Sequence, residues 1–269
     1  MGEVRVKNLV IAYSIHGSGE PLILIGGFSM SQESWRFQTP DLGKRFRVVT
    51  FDNRGVGQTR YPPVPFTIED MAADTVGLMD ALGIESAYIF GVSMGGLIAQ
   101  ILLLDYPNRV KRAALGCTTH GGRHAVQPEP EVMGILAKAA DPSVQPEEAI
   151  RAKLPVIFPE HFIREEPERI EEYVRNSLEH VPTPVGAAAQ FKALSTFNVK
   201  RRLGEILHSV LVITGSEDRM MPPDNSRLLA EGIQGARLHM VEGAGHMFFE
   251  ERPDEVNQVL AEFFLKPSS

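Results

Sequence analysis

Cysteine is almost missing from this 269-residue chain, with Cys117 the single one, so no intramolecular disulfide can brace the fold. Cys117 closes the apolar stretch VKRAALGC and reads as a packed thiol. The eight histidines are scattered, with no Cys/His cluster and no HExxH spacing, so neither a metal nor a cofactor is expected. Basic residues are in deficit: 27 Lys and Arg stand against 34 Asp and Glu, a net charge of −7. That balance excludes the clustered cations by which proteins displace counterions from nucleic acid. Long hydrophobic runs are also missing, none approaching the ~20 apolar residues that span a bilayer. The opening MGEVRVKNLVIAYSIHG has no basic region followed by an apolar segment, so neither membrane nor export is expected and a cytoplasmic location is the default.

What remains is an ordinary globular composition, 43% hydrophobic and 23% charged, long enough for one main core. Short β-branched and aliphatic runs alternate with longer amphipathic stretches, the rhythm of a parallel sheet built from crossover units. VRV and LVIAYSI, parted by Lys7 and Asn8, predict an opening hairpin. The further candidate strands are PLILIGG (21–27), FRVVTFD (46–52), AYIFGV (87–92), VKRAALGC (110–117), SVLVITG (209–215) and RLHMVEG (237–243). A helix from Thr67 would put Ile68, Met71, Thr75, Met79 and Leu82 on one face, with Thr67 as N-cap and Gly83 as its end. A last helix begins near Pro253. Residues 120–205 break the rhythm with helical stripes (Val132, Ile135, Leu136, Ala139; Ile170, Tyr173, Val174, Leu178, Val181) and no convincing strand. An inserted helical cap is therefore expected there, on a core formed by 1–119 and 206–269.

Chemistry concentrates at Gly91-Val92-Ser93-Met94-Gly95-Gly96, which follows an apolar strand and opens the helix LIAQILLLDYP. A serine at a sharp strand-to-helix turn, with glycines two positions to either side, is a nucleophile elbow. A dinucleotide-binding turn would need glycine where Ser93 stands. Serine is a weak nucleophile at neutral pH and needs a base oriented by a carboxylate. Ser216-Glu217-Asp218-Arg219 follows one late candidate strand and Ala244-Gly245-His246-Met247 the next. The chain order Ser93, Asp218, His246 thus sits at the strand ends where open α/β sheets put their sites, with Glu217 as the rival acid.

An oxyanion hole is expected from the backbone N–H groups of Met94 and of Phe28, the latter in the turn Gly26-Gly27-Phe28. Apolar side chains near the expected mouth, Met30, Trp35, Met247 and Phe248 with Phe28 and Met94, are candidates for the substrate pocket. Arg123 and Arg219 are candidate partners for a substrate carboxylate. His120 and His124, set around two glycines in TTHGGRH, read as loop histidines, and His16, His161, His180, His208 and His239 as structural ones.

These motifs resemble the α/β-hydrolase superfamily over nearly the whole chain. LILIGGFSM is similar to its oxyanion turn, FDNRGVGQT to its Asp-x-Arg-Gly-x-Gly loop, FGVSMGG to its elbow, GSEDRMMP to its acid loop and GAGHMFFEERP to its histidine loop. Within it the chain looks most like small enol-lactonases, carboxylesterases and cofactor-free haloperoxidase-like enzymes. The resemblance implies an α/β-hydrolase fold: a mostly parallel eight-stranded sheet, second strand antiparallel, with helices on both faces and a helical cap. It also implies that Asp52 and Arg54 are scaffold residues. Two departures are Gly26-Gly27 where the family often has His-Gly, and Thr59 where it often has serine. Ser93 in the nucleophile position argues against the dehalogenase and epoxide-hydrolase branches, which use aspartate there.

The expected activity is therefore that of a serine hydrolase, a carboxylesterase or lactonase working on a small-molecule ester or lactone through an acyl-enzyme. The alternatives are perhydrolase, haloperoxidase-like or lyase use of the same triad, or a low-turnover ligand-binding receptor.

Overall fold

The computed structural model describes residues 1–141 and 143–266. Its eight strands are β1 (Gly2–Val6), β2 (Leu9–His16), β3 (Glu20–Ile25), β4 (Phe46–Phe51), β5 (Ala87–Val92), β6 (Val110–Gly116), β7 (Val210–Gly215) and β8 (Arg237–Val241). They form one sheet in the order β1-β2-β4-β3-β5-β6-β7-β8. β2 runs antiparallel to both neighbours, and every pairing from β4 onward is parallel. All the candidate strands and the opening hairpin are present. The strands stop short of the glycines and of Cys117 that closed three of the candidate segments, and these residues instead begin the loops at the carboxyl edge.

The helices are α1 (Thr39–Leu42), α2 (Ile68–Ala81), α3 (Met94–Asp105), α4 (Pro130–Ala139), α5 (Pro146–Ile157), α6 (Glu160–Glu165), α7 (Pro167–Glu179), α8 (Pro184–Ser195), α9 (Asp224–Gly232), α10 (Phe248–Glu251) and α11 (Pro253–Leu265). Side chains alternate across a strand, and that alternation divides the core in two. Ile23, Ile25, Ile89, Val210 and Val212 pack with α2, α3 and α9 on one face. Leu22, Leu24, Phe90, Val92, Leu211 and Ile213 pack with α1 and α11 on the other. Burial on both faces is why these strands read as continuous apolar runs.

α2 starts where the sequence signals it: Thr67 accepts from the Asp70 N–H while the Asp70 carboxylate accepts from the Thr67 N–H, a reciprocal capping box. Helices α4 to α8 lie between β6 and β7. Their buried faces extend the second core cluster through Ile150, Leu154, Ile157, Phe162, Ile170 and Val174. The expected stripes are only partly covered, since Val132 alone of its set is fully buried and Leu178 and Val181 are exposed near the end of α7. Among the described residues no helix is long and apolar enough to cross a membrane.

Candidate active site

Ser93 stands between the last residue of β5 and the first of α3, with φ 54° and ψ −118°. A non-glycine residue held there costs about 1–3 kcal/mol and needs surroundings that over-determine it. Its N–H donates to the Gly116 carbonyl at 2.8 Å, and its own carbonyl accepts from the Gly96 N–H at 3.0 Å and the Thr118 hydroxyl at 2.8 Å. Glycine is obligatory around it. A Cβ on Gly91 would lie 2.1 Å from the Gly95 carbonyl oxygen, and one on Gly95 2.1 Å from that of Ile25.

Asp218 and His246 come from the turns after β7 and β8, and these turns are zipped together. Ser216 N–H donates to Val241 O at 3.0 Å and Glu217 N–H to Ala244 O at 2.8 Å. Asp218 is buried with both oxygens used: Oδ1 accepts from the Met221 N–H at 2.7 Å, and Oδ2 lies 2.8 Å from His246 Nδ1. Glu217 is exposed, so of the two neighbouring acids only Asp218 reaches the imidazole. The hydrogen bond to a carboxylate places the proton on Nδ1 and leaves Nε2 as the basic nitrogen. Burial, the largest influence, disfavours the imidazolium, but the Asp218 carboxylate and the Cys117 side chain together outweigh it and hold His246 above the ordinary 6.5.

The Cys117 thiol lies against this dyad, with a ligand atom from each of Cys117, Asp218 and His246 within 4.8 Å of the others. It also reaches the Ser93 main chain, and burial pushes its pKa up, keeping it a neutral thiol. The hydrogen bonds among the described residues do not include one from the Ser93 hydroxyl to His246. Such contacts commonly tighten only when substrate binds.

Four residues fix the histidine loop. The Glu251 carboxylate accepts the Gly245 N–H at 3.0 and 3.2 Å, and the Met247 N–H donates to Ile157 O of α5 at 3.2 Å. Arg169 of α7 donates to the main-chain carbonyls of Glu250 and Glu251, and Arg36 pairs with the Glu250 carboxylate at 2.8 Å. Burial drives Glu250 up to about 7 and Glu251 up to about 8. These supports were not identified from the sequence, where EERP marks only a helix start.

The turn after β3 lies against the elbow, a Cβ on Gly27 falling 3.0 Å from that of Ser93. In place of the histidine side chain common in the family, it is held by Asn53 Nδ2 donating to Gly26 O at 3.2 Å and by the Gly27 N–H on Met30 Sδ at 3.1 Å. Gln190 of α8, fully buried, completes the frame: Oε1 accepts the Ser29 N–H at 2.9 Å and Nε2 donates to Arg54 O at 2.8 Å. Among the described residues, neither the Phe28 nor the Met94 N–H is taken by another backbone carbonyl in a turn or loop contact.

Asp52 and Arg54 stay structural. Asp52 accepts the Gln32 and Gln58 N–H groups, each at 2.8 Å, and Arg54 forks onto Asp74 at 2.5 and 2.6 Å. At Thr59, the hydroxyl donates to Asp52 O at 2.6 Å and accepts the Ala12 N–H at 3.0 Å.

Two pocket expectations need correction. Trp35 and Phe248 have 0% exposure. Trp35 packs on Phe90 and Phe249, and Phe248 on Phe249. A side chain with no accessible surface cannot touch substrate, so both belong to the core. Met247 is almost as buried at 5%, Met30 is half-buried, and Phe28 is 38% exposed. Arg219 is engaged by Pro155 O at 3.1 Å and Glu131 at 3.3 Å, while Arg123 lies in a separate cavity with none of Ser93, Asp218 and His246 in its lining.

The raised Glu251 group makes a linkage prediction. Its pKa of about 8 lies above the ordinary 4.5, so the fold favours its protonated form and loses that contribution as pH rises from the lower value through the upper. Glu251→Gln keeps the acceptor for Gly245 without the charge. Its melting temperature relative to the parent should therefore climb between pH 5 and 8 and level off above, as followed by circular dichroism.

The family model described as the alpha/beta hydrolase fold matches residues 20–253. The 2-hydroxy-6-oxo-6-phenylhexa-2,4-dienoate hydrolase of Comamonas testosteroni is 33% identical, the alignment covering 98% of this chain and 94% of that protein. Among solved structures, the enol-lactonase from Burkholderia xenovorans LB400 superposes with a TM-score of 0.87 at 28% identity, covering 98% of this chain and 100% of the other. A thermophilic esterase from Thermogutta terrifontis superposes with a TM-score of 0.85 at 26% identity, covering 99% of each. With the sheet order, the elbow and these matches in agreement, the chain belongs to the α/β-hydrolase superfamily.

Proposed function

We propose that this hydrolase cleaves a carboxylic ester or lactone through an acyl-enzyme on Ser93, with His246 as base and Asp218 as the group that orients it. The buried Asp218–His246 hydrogen bond carries the reading, because it leaves a basic Nε2 at the strand edge that also presents the strained Ser93. His246 takes the hydroxyl proton as Ser93 Oγ attacks the carbonyl carbon. The carbonyl oxygen becomes an oxyanion received by the Phe28 and Met94 N–H groups. Collapse breaks the bond to the leaving oxygen, which takes the proton from His246; a lactone would keep that alcohol on the acyl chain. Water then attacks the acyl-enzyme, giving its proton to His246 and restoring Ser93 as the acid departs.

Helices α4 to α8 serve as the cap of the site, residues 120–205, with 1–119 and 206–269 as the catalytic core. Phe28, Met30 and Met247 are the apolar side chains left to meet the acyl group. The enol-lactonase and the esterase among the structural neighbours favour this reaction class.

Treatment with a fluorophosphonate should label Ser93 irreversibly, read by mass spectrometry. Ser93→Ala should lose both the label and turnover of short p-nitrophenyl esters by at least about 10³-fold. An unlabelled, inactive parent would defeat the proposal.

The pH profile has a definite sign. Neutral His246 is the working form and its pKa is raised, so kcat/KM should fall as pH is lowered through an inflection above 6.5. Asp218→Asn leaves the burial without the opposing carboxylate. It should move that inflection down while cutting kcat by roughly 10⁴-fold.

Gln190 acts on the oxyanion turn without touching substrate. Gln190→Ala should lower kcat and the rate of phosphonate labelling about 10- to 100-fold, with KM and the pH inflection unchanged. A loss confined to KM would remove it from this role.

A further inference from the structure

A second concavity opens beside the loop that leaves β6. A cavity of about 590 Å³ is lined by Arg123, His124, Asn198, Lys200 and Arg201. Four of the five carry or can carry positive charge, none is acidic, and the chain around them has a net charge of −7. Among the described residues Arg123, Lys200 and Arg201 have no ion-pair partner, whereas Arg202 next to them pairs with Asp105 at 2.9 Å and Glu205 at 3.1 Å. Unpaired cations gathered in one concavity repel each other and attract an anion.

The walls are fixed rather than fortuitous. Segments 121–124 and 198–201 are tied by a β-bridge between Gly121 and Asn198 and by the Val199 N–H on His120 O at 2.9 Å. Gly121 and Gly122 have φ of 72° and 71°. A Cβ on Gly121 would meet Phe197 O at 2.1 Å, and one on Gly122 the Asn198 side chain at 2.6 Å. Arg123 Nε donates to His124 Nε2 at 3.3 Å, which leaves Nδ1–H of a neutral imidazole as a donor. Lys200 foremost, then partial desolvation, Arg123, His120 and Arg201, hold His124 below its ordinary pKa.

We propose that this cavity binds the phosphate group of a small phosphorylated molecule, at a site separate from Ser93. A carboxylate offers two oxygens in one plane and a single charge. A phosphate monoester offers three oxygens in a tetrahedral spread with nearly two charges, which suits guanidinium, ammonium, amide and imidazole donors arriving from two segments. The site does not depend on the hydrolytic reading, since no triad residue lines it.

The test is imidazole NMR of the full-length protein, titrating His124 at constant ionic strength with inorganic phosphate, pyrophosphate or acetate. Phosphate and, more tightly, pyrophosphate should raise the His124 pKa in a saturable way, because bound anion favours the imidazolium, while acetate leaves it in place. Lys200→Gln with Arg201→Gln, both exposed positions, should weaken phosphate at least 10-fold with ester turnover unchanged. A His124 titration indifferent to phosphate, or moved equally by acetate, overturns the proposal with the parent protein alone, as does undiminished phosphate binding in the double variant.

Discussion

Backbone crowding at the end of β5 is the constraint from which the site follows. Ser93 occupies a conformation unfavourable to an L residue, and it is held there because Gly91, Gly95 and Gly96 let α3 approach β3 and the Thr118 side chain more closely than any Cβ would permit. The strain is local, but the atoms that oppose it come from β3, β6 and α3. The elbow therefore exists only when the central strands are already in register. The same close approach leaves the Met94 N–H pointing out of the first turn of a helix, where positive partial charge gathers.

Around that rigid centre the electrostatics are set by burial. Asp218 spends one oxygen on a backbone amide and the other on His246, so the imidazole is both oriented and made more basic. Behind it, Glu250 and Glu251 are carried up into the neutral range by loss of solvent. Their side chains hold the Gly245 N–H and meet Arg36 without placing a full extra negative charge beside His246, while their main-chain carbonyls are taken by Arg169 of α7.

The helices between β6 and β7 are mechanically joined to the edge that carries Ser93, Asp218 and His246. Gln190 of α8 frames the oxyanion turn, α5 supplies Ile157 O to Met247, and Arg169 of α7 clasps the carbonyls after His246. Any displacement of these helices is thereby felt at the groups that would receive the oxyanion and hold the base. The basic cavity beside Gly121 lies where the segment entering these helices is bridged to the one leaving them.

The strands, the capped α2, the elbow and the Ser-Asp-His order could be read from the chain because each is a local matter: period-2 apolar runs, a Thr67/Asp70 capping box, glycines flanking a serine, and loops closing specific strands. What needed the folded molecule was everything decided by neighbours remote in sequence. Asp218 is favoured over its neighbour Glu217 by position alone, and only the pairing of β7 with β8 shows that one is buried against the imidazole and the other exposed. Trp35 and Phe248 look like pocket residues until the second core closes over them, because hydrophobicity is the same signal on either side of a cavity wall. Gln190 and Arg169 carry no local pattern at all, since a buried polar side chain is defined by the partner it finds, and those partners lie 161 and 81 residues away.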